Sequence, residues 1–127
     1  MKRIARPVLL IAAVVEVVLR GLPALFGSPP VARLFGLEYL TGFIPYVHAF
    51  GAVMICLGLL FYFAAREPER YLLVVNIAIL RFALGIAAQL GSFFQLGGLH
   101  VFWWIHIAID AVLVVLLLAA RREIVRT

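Results

Sequence analysis

The fold is decided by residues 101–120, which read VFWWIHIAIDAVLVVLLLAA. A transmembrane helix needs roughly 20 predominantly apolar residues, and this stretch is that long. Trp103, His106 and Asp110 stand at i, i+3 and i+7, so on a helix they share one stripe. Ionisable side chains inside an apolar helix cannot face lipid cheaply and need partners. We therefore predict a transmembrane helix whose polar stripe faces the inside of a bundle.

The composition of the whole chain predicts membrane residence. Of its 127 residues, 66% are hydrophobic and 13% are charged, whereas a soluble domain has about 25% charged residues. The net charge is +5, but the charges stand near the ends of apolar segments, which indicates membrane topology and not nucleic-acid binding. Cys56 is the only cysteine, which excludes an intrachain disulfide and a CxxC site. We expect one domain, residues 1–127, with the lipid bilayer as its first partner.

Four apolar segments predict an all-α integral membrane four-helix bundle. Their approximate ranges are 7–26, 42–65, 71–92 and 101–120. The long first connection contains Pro29 and Pro30 and is predicted to include a short interfacial helix over 31–40. The basic N-terminus resembles the start of a signal peptide, but Glu16 and Arg20 interrupt its apolar run. We expect this first segment to be retained as a helix.

The distribution of basic residues predicts the orientation of the bundle. The N-terminus, the turn at 66–70 and the C-terminal tail together contain eight Lys and Arg residues, and the other two connections contain only Arg33. The positive-inside rule then places both termini and the middle turn in the cytoplasm, with up-down topology. The expected location is a bacterial inner (plasma) membrane, crossed several times.

Ionisable residues in the other segments supply partners for the polar stripe. Glu16 and Arg20 lie in the first segment and Arg81 in the third. Glu16 with Arg20, and His106 with Asp110, are each four residues apart, so each pair lies on one helix face. An unpaired charge in mid-bilayer costs roughly 2.5–3.5 kcal/mol on insertion scales. We expect these side chains to meet in one cluster.

The cluster and two residues at its edge are the candidate ligand-binding site. The arginines would bind carbonyl or anionic oxygens, and the His–Asp pair would donate or take protons. The alternative is that the same residues only hold helices together as buried ion pairs. Asn76 and Gln89 are predicted to form hydrogen bonds between helices. The candidate site comprises Glu16, Arg20, His48, Arg81, Trp103, His106 and Asp110.

No metal site is predicted. Zinc needs three or four ligands, which these acids and histidines supply only if both arginines point away. Haem ligation by His48 and His106 is geometrically conceivable, but two histidines are weak evidence and we do not predict a haem. A His–Asp pair near a glutamate can move protons. The sequence therefore leaves open whether the protein is an enzyme.

The chain resembles the DoxX-like group of small four-helix bacterial membrane proteins. The similarity covers nearly the whole chain: its length, its four segments, the Pro- and Gly-containing first connection, Glu16 and Arg20 in the first helix, and Arg81 in the third. The resemblance implies an accessory or binding protein for an apolar or amphipathic molecule such as a quinone or lipid, as part of a membrane oxidoreductase. A homo-oligomer and a larger membrane complex are both compatible with it.

A second resemblance gives the alternative function. Ala13-Val14-Val15-Glu16-Val17 is similar to the first-helix segment of small multidrug resistance exporters, which implies proton-coupled export with Glu16 as the coupling residue. The rest of the chain departs from that family, because its connections are longer and it contains a buried arginine and a His–Asp pair. Arg81 beside Glu16 would repel a cationic drug.

Overall fold

The computed structural model describes residues 3–26, 44–99 and 101–126, and every regular element in these ranges is helical. This confirms the all-α prediction. The predicted interfacial helix over 31–40 and His100 lie outside the described residues. The helices are α1 (Ala5–Leu25), α2 (Ile44–Arg66), α3 (Leu72–Leu96) and α4 (Val101–Arg126).

Each of the four helices contains a stretch long and apolar enough to cross a membrane. Large apolar side chains cover the outside of the bundle, and Tyr46, Leu73 and Phe94 are each at least 70% exposed. So much exposed apolar surface is unusual in a soluble monomer, but a helix that faces lipid needs it. These features are those of a multi-pass membrane protein.

Two helices extend further than the sequence predicted. α3 ends at Leu96 and not at Ser92, because no helix-breaking residue occurs before Gly97. Gly97 has φ +75°, the left-handed conformation that closes many helices and that glycine adopts without strain. α4 continues to Arg126 and not only to Ala120, because the residues after the apolar run are good helix formers.

The first helix is not a regular α-helix along its whole length. Ala5–Val14 is α-helical, Val15–Gly21 is π-helical, and Leu22–Leu25 is α-helical again. Pro23 supplies a physical reason, because proline has no N–H to donate and its ring crowds the carbonyl group four residues earlier. Short π-helical stretches are rare and are frequently found at functional sites. This one contains Glu16 and Arg20.

The beginning of α1 is fastened to the last turns of two other helices. The backbone N–H groups of Ile4 and Ala5 donate hydrogen bonds to the Glu123 carboxylate at 3.1–3.3 Å. They would otherwise lack partners at a helix start. The Arg6 guanidinium donates to the carbonyl oxygens of Ala65 and Arg66, both at 3.2 Å, at the end of α2.

Glycines let α1 and α2 pack at backbone distance. A Cβ atom added to Gly51 would lie 2.7 Å from the Gly21 carbonyl oxygen and closer still to the Leu25 nitrogen. A Cβ added to Gly58 would lie 3.0 Å from the Ala13 carbonyl oxygen. The obstructing atoms belong mainly to the backbone, so they cannot move aside as a side chain would. Small residues allow this close approach between membrane helices.

We predict that Gly51→Ala destabilises the protein, because the new methyl group would force α1 and α2 apart. The expected loss is about 1–3 kcal/mol of unfolding free energy. The matched control is Gly91→Ala on α3, where an added Cβ meets nothing within 4 Å. Unfolding in mixed micelles, followed by circular dichroism, should show a loss for Gly51→Ala alone. Equal stability of the two variants would contradict the close packing.

Candidate functional site

The structure brings five of the predicted residues into one cluster, referred to here as the charged centre. Its members come from three helices: Glu16 and Arg20 from α1, Arg81 from α3, and His106 and Asp110 from α4. Both carboxylic side chains are fully buried, and Arg20 and His106 are nearly so. Only the Arg81 side chain is partly accessible, with 19% exposed.

Arg20 is the hub of the charged centre. Its Nη1 donates to Glu16 Oε1 at 3.0 Å, its Nη2 donates to Asp110 Oδ1, and its Nε donates to His106 Nδ1 at 3.2 Å. Each of its three nitrogens therefore has a partner, and the fixed fork of the guanidinium orients all of them. Because His106 accepts at Nδ1, a neutral imidazole there carries its proton on Nε2.

Arg81 completes the neutralisation of Glu16. Its Nε lies 3.2 Å from Glu16 Oε2, and its Nη2 donates to Glu16 Oε1 at 3.4 Å. The same Nη2 lies 3.4 Å from the Met54 sulfur, which brings α2 to the edge of the centre. The two carboxylates and two guanidinium groups sum to zero formal charge. Mutual attraction among the four groups offsets part of the cost of placing ionised groups in a low-dielectric interior.

A phenylalanine of the apolar core borders the charged centre. The guanidinium carbons of Arg20 and Arg81 lie 5.8 and 5.3 Å from the centroid of the Phe82 ring. Both distances are within the range of cation–π attraction. Phe82 is fully buried, and its ring is 6.1 Å from that of Phe61. One aromatic ring therefore attracts both guanidinium groups and adds to the attraction that the carboxylates supply.

Gly85 lets two side chains of the charged centre approach α3 closely, and the place where they meet this helix is called the Gly85 notch here. A Cβ atom at this position would lie 2.7 Å from Arg81 Nη1 and 2.9 Å from Asp110 Oδ2. These two atoms are thus less than about 6 Å apart, yet the residues form no ion pair among those the structure describes. Asp110 Oδ2 is buried without a hydrogen-bond partner, and no described residue accepts a hydrogen bond from Arg81 Nη1. A donor and an acceptor therefore both lie close to the position that a Cβ atom of residue 85 would take.

A second buried hydrogen-bond acceptor, the side-chain oxygen of Gln89, lies one turn further along α3. Gln89 follows Gly85 by four residues, so the two share one helix face. Its Oε1 atom is buried and has no hydrogen-bond partner within the described ranges. The prediction that Gln89 bonds to another helix is therefore not supported for this oxygen. In contrast, Asn76 does bond between helices, because Arg121 Nε on α4 donates to its Oδ1 at 2.8 Å.

The two edge residues of the predicted site differ in position. Trp103 is half-buried, and its ring centroid is 5.7 Å from that of His106, so it borders the charged centre as expected. His48 is half-buried on α2 and precedes Met54 by six residues, which is about 9 Å along the helix axis. His48 therefore lies well before the point where α2 meets Arg81.

Sequence reasoning missed three contributors to the centre, namely Met54, Phe82 and Gly85. Met54 and Phe82 are ordinary apolar residues in apolar helices, and nothing in the sequence distinguishes them from lipid-facing neighbours. Gly85 had a signal, since it follows Arg81 by four residues and must lie on the same face. That spacing alone does not show that the glycine borders a carboxylate of another helix.

The charged centre is not built as a metal site. Within the described ranges, no group of three or more His, Cys, Asp or Glu side chains is placed to hold a metal ion. Both Glu16 oxygens and one Asp110 oxygen, Oδ1, face arginine nitrogens instead. Comparison with family models, with curated proteins and with solved structures finds no match for this chain. The proposed function therefore rests on the charged centre itself.

We predict that Arg20→Met is among the most destabilising single changes in the chain. It would leave Asp110 buried without its cationic partner, and breaking a buried ion pair in this way costs about 3–5 kcal/mol. Arg121→Met is the matched control, because it removes one interhelical hydrogen bond of a partly exposed arginine and should cost about 1 kcal/mol.

Adding Asp110→Asn to Arg20→Met tests the reason for the loss. The second change removes the stranded charge, so the double variant should be more stable than Arg20→Met alone. Detergent-based unfolding of these three variants and of the unaltered protein would measure these differences. A double variant less stable than the single one would show that charge balance does not govern this cluster.

Proposed function

We propose that this protein is a small integral membrane binding protein whose charged centre receives a small amphipathic molecule, such as a quinone or a lipid. The observation that carries the proposal is the Gly85 notch. There, Asp110 Oδ2 is a buried acceptor without a hydrogen-bond partner, and the donor Arg81 Nη1 lies close to the same position beside Gly85. Buried polar atoms in proteins are nearly always paired, so an unpaired acceptor beside a donor points to a group that is supplied from outside.

The chemistry of the notch selects a neutral hydroxyl-bearing group. One hydroxyl can donate to Asp110 Oδ2 and accept from Arg81 Nη1, which a carbonyl oxygen or an ammonium group cannot do. The formal charges of the centre already cancel, so a charged ligand would add an uncompensated charge to a buried site. The hydroquinone form of a quinone and the hydroxyl of a lipid both meet these requirements.

The position of the notch suits a ligand that arrives from the bilayer. Arg81 is the partly exposed member of the centre, and Leu84 beside Gly85 is 59% exposed on the outer face of α3. A ligand could therefore keep its apolar part against the lipid-facing surface of α3 while its hydroxyl enters the notch. Trp103, close to His106, borders the same centre from α4.

The exporter alternative has less support from the geometry. Glu16 is fully buried, and Arg20 and Arg81 approach its two oxygens at 3.0–3.4 Å. A cationic drug would have to displace both guanidinium groups before it could pair with this carboxylate. The resemblance to DoxX-like proteins favours the binding role and adds the proposal that the protein is an accessory subunit of a membrane oxidoreductase. A catalytic role is not part of the proposal.

We predict that Gly85→Ala weakens ligand binding without unfolding the protein. Its methyl group would occupy the notch, and the atoms it meets belong to side chains and not to the backbone. The probe is decylubiquinol, titrated into purified protein while quenching of the Trp103 and Trp104 fluorescence is followed. We expect at least about a tenfold loss of affinity, which corresponds to one or two lost hydrogen bonds to charged groups.

Gly91→Ala is the matched control for this titration, because it adds the same methyl group to the same helix in open space. It should bind decylubiquinol like the unaltered protein. Equal affinity of the two variants would overturn the proposed site. Quinone extracted from each purified variant and quantified by chromatography gives a second measure that does not depend on fluorescence.

We further propose that both termini and the turn between α2 and α3 are cytoplasmic, in an up-down bundle of a bacterial inner membrane. This rests on the concentration of arginines at these places. Green fluorescent protein fused after Thr127 should fluoresce, and alkaline phosphatase at the same point should be inactive, since the first folds in the cytoplasm and the second outside it. The opposite result, an active phosphatase and a non-fluorescent fusion, would show that the C-terminus lies outside the cytoplasm and would contradict the proposed orientation.

A further inference from the structure

A groove with basic and apolar walls lies where α1 begins and α4 ends. Its volume is about 580 Å³. It is remote from the charged centre, because Asp110 precedes the groove residues of α4 by at least two helical turns. The residues that line it are Ile4, Leu118, Ala119, Arg122, Glu123 and Arg126.

The basic wall carries two arginines that are not neutralised. Arg122 and Arg126 are four residues apart and so project from one face of α4. Both are exposed, and neither forms an ion pair with a carboxylate among the described residues. The nearby Glu123 carboxylate is already used, since it accepts the N–H groups of Ile4 and Ala5. The groove therefore presents a local excess of positive charge.

The apolar wall lies one turn earlier on α4. Leu118 is 50% exposed and Ala119 is half-buried, while Ile4 closes the groove from α1. Along α4, the side chains change from apolar to basic at Arg121, which is where a membrane helix leaves the hydrocarbon region. Basic and apolar walls thus meet at the depth of lipid headgroups.

From these features we propose that the groove binds one anionic phospholipid. The lipid phosphate is held by the two guanidinium groups, which match phosphate oxygens in pairs. The glycerol backbone and the first acyl carbons lie along Leu118 and Ala119. A free phosphate ion would use the arginines but not the apolar wall. The proposal also agrees with cytoplasmic termini, because anionic lipids are abundant in that leaflet.

The experiment is lipid binding to the full-length protein, measured by native mass spectrometry from mild detergent. Phosphatidylglycerol is the anionic probe and phosphatidylcholine with the same acyl chains is the neutral one. We expect a single phosphatidylglycerol to be retained in preference to phosphatidylcholine. Glycerol phosphate, which has the charge but no acyl chains, should not displace it at equal concentration.

Two double variants test whether the lipid binds in this groove or is attracted by the basic residues at this end of the bundle in general. The double variant Arg122→Gln, Arg126→Gln should bind phosphatidylglycerol at least about tenfold more weakly, because one arginine near an anionic headgroup contributes about fivefold. The double variant Arg66→Gln, Arg70→Gln removes the same charge from the turn between α2 and α3. It should retain the lipid.

A third variant tests the groove without changing any charge. Ala119→Trp would fill the apolar wall, and it should lower phosphatidylglycerol retention while both arginines remain. Equal losses in the two arginine variants, full retention by Ala119→Trp, or equal retention of the two lipids would each overturn the proposal. Gly85→Ala should leave this lipid bound, so failure here and failure of the central ligand site are distinguishable.

Discussion

An ionised side chain inside a bilayer has to be paired, and in this chain that requirement determines how three of the four helices meet. Arg20 satisfies it by donating to Glu16 on its own helix and to His106 and Asp110 on α4. Arg81 adds α3 by approaching the same glutamate. If any of these helices rotated by one residue, a charge would turn towards lipid at a cost of a few kcal/mol. The apolar residues around the centre are compatible with several rotations of the helices, whereas the charged residues are compatible with very few.

The helix without a charge at the centre is held by a different kind of contact. α2 packs on α1 through Gly51 and Gly58, at distances where backbone meets backbone. The π-helical stretch of α1 lies at this contact and also bears Glu16 and Arg20. The distorted backbone therefore contributes to two contacts. One side of it allows α2 to approach, and the other side directs the Glu16 carboxylate and the Arg20 guanidinium towards α3 and α4. A regular α-helix would place these two sets of residues at other angles.

The sequence was sufficient to predict the four helices and the residues of the charged centre, because both follow from strong physical penalties. A run of some 20 apolar residues has few alternatives to a membrane helix, and ionisable groups within such runs have few alternatives to one another. Helix ends at Leu96 and Arg126 were missed, since apolar runs mark the hydrocarbon thickness and not the length of the helix. The π-helical stretch, the Phe82 contact with both arginines and the Gly85 notch depend on how helices are rotated against each other, which periodicity alone does not specify.

The charged centre could be a binding site or a purely structural cluster of ion pairs. The polar atoms that have no hydrogen-bond partner distinguish these two interpretations. Close packing of α3 against α4 would by itself explain why position 85 is a glycine. It would not explain why Asp110 Oδ2 and Gln89 Oε1 remain buried acceptors without donors on the same side of the bundle. A cluster selected only to join helices gains by pairing every polar atom, because each unpaired buried acceptor costs about 1–3 kcal/mol. Buried acceptors without partners, beside an Arg81 N–H that no described residue accepts, are the feature that favours the proposed binding role over a purely structural one.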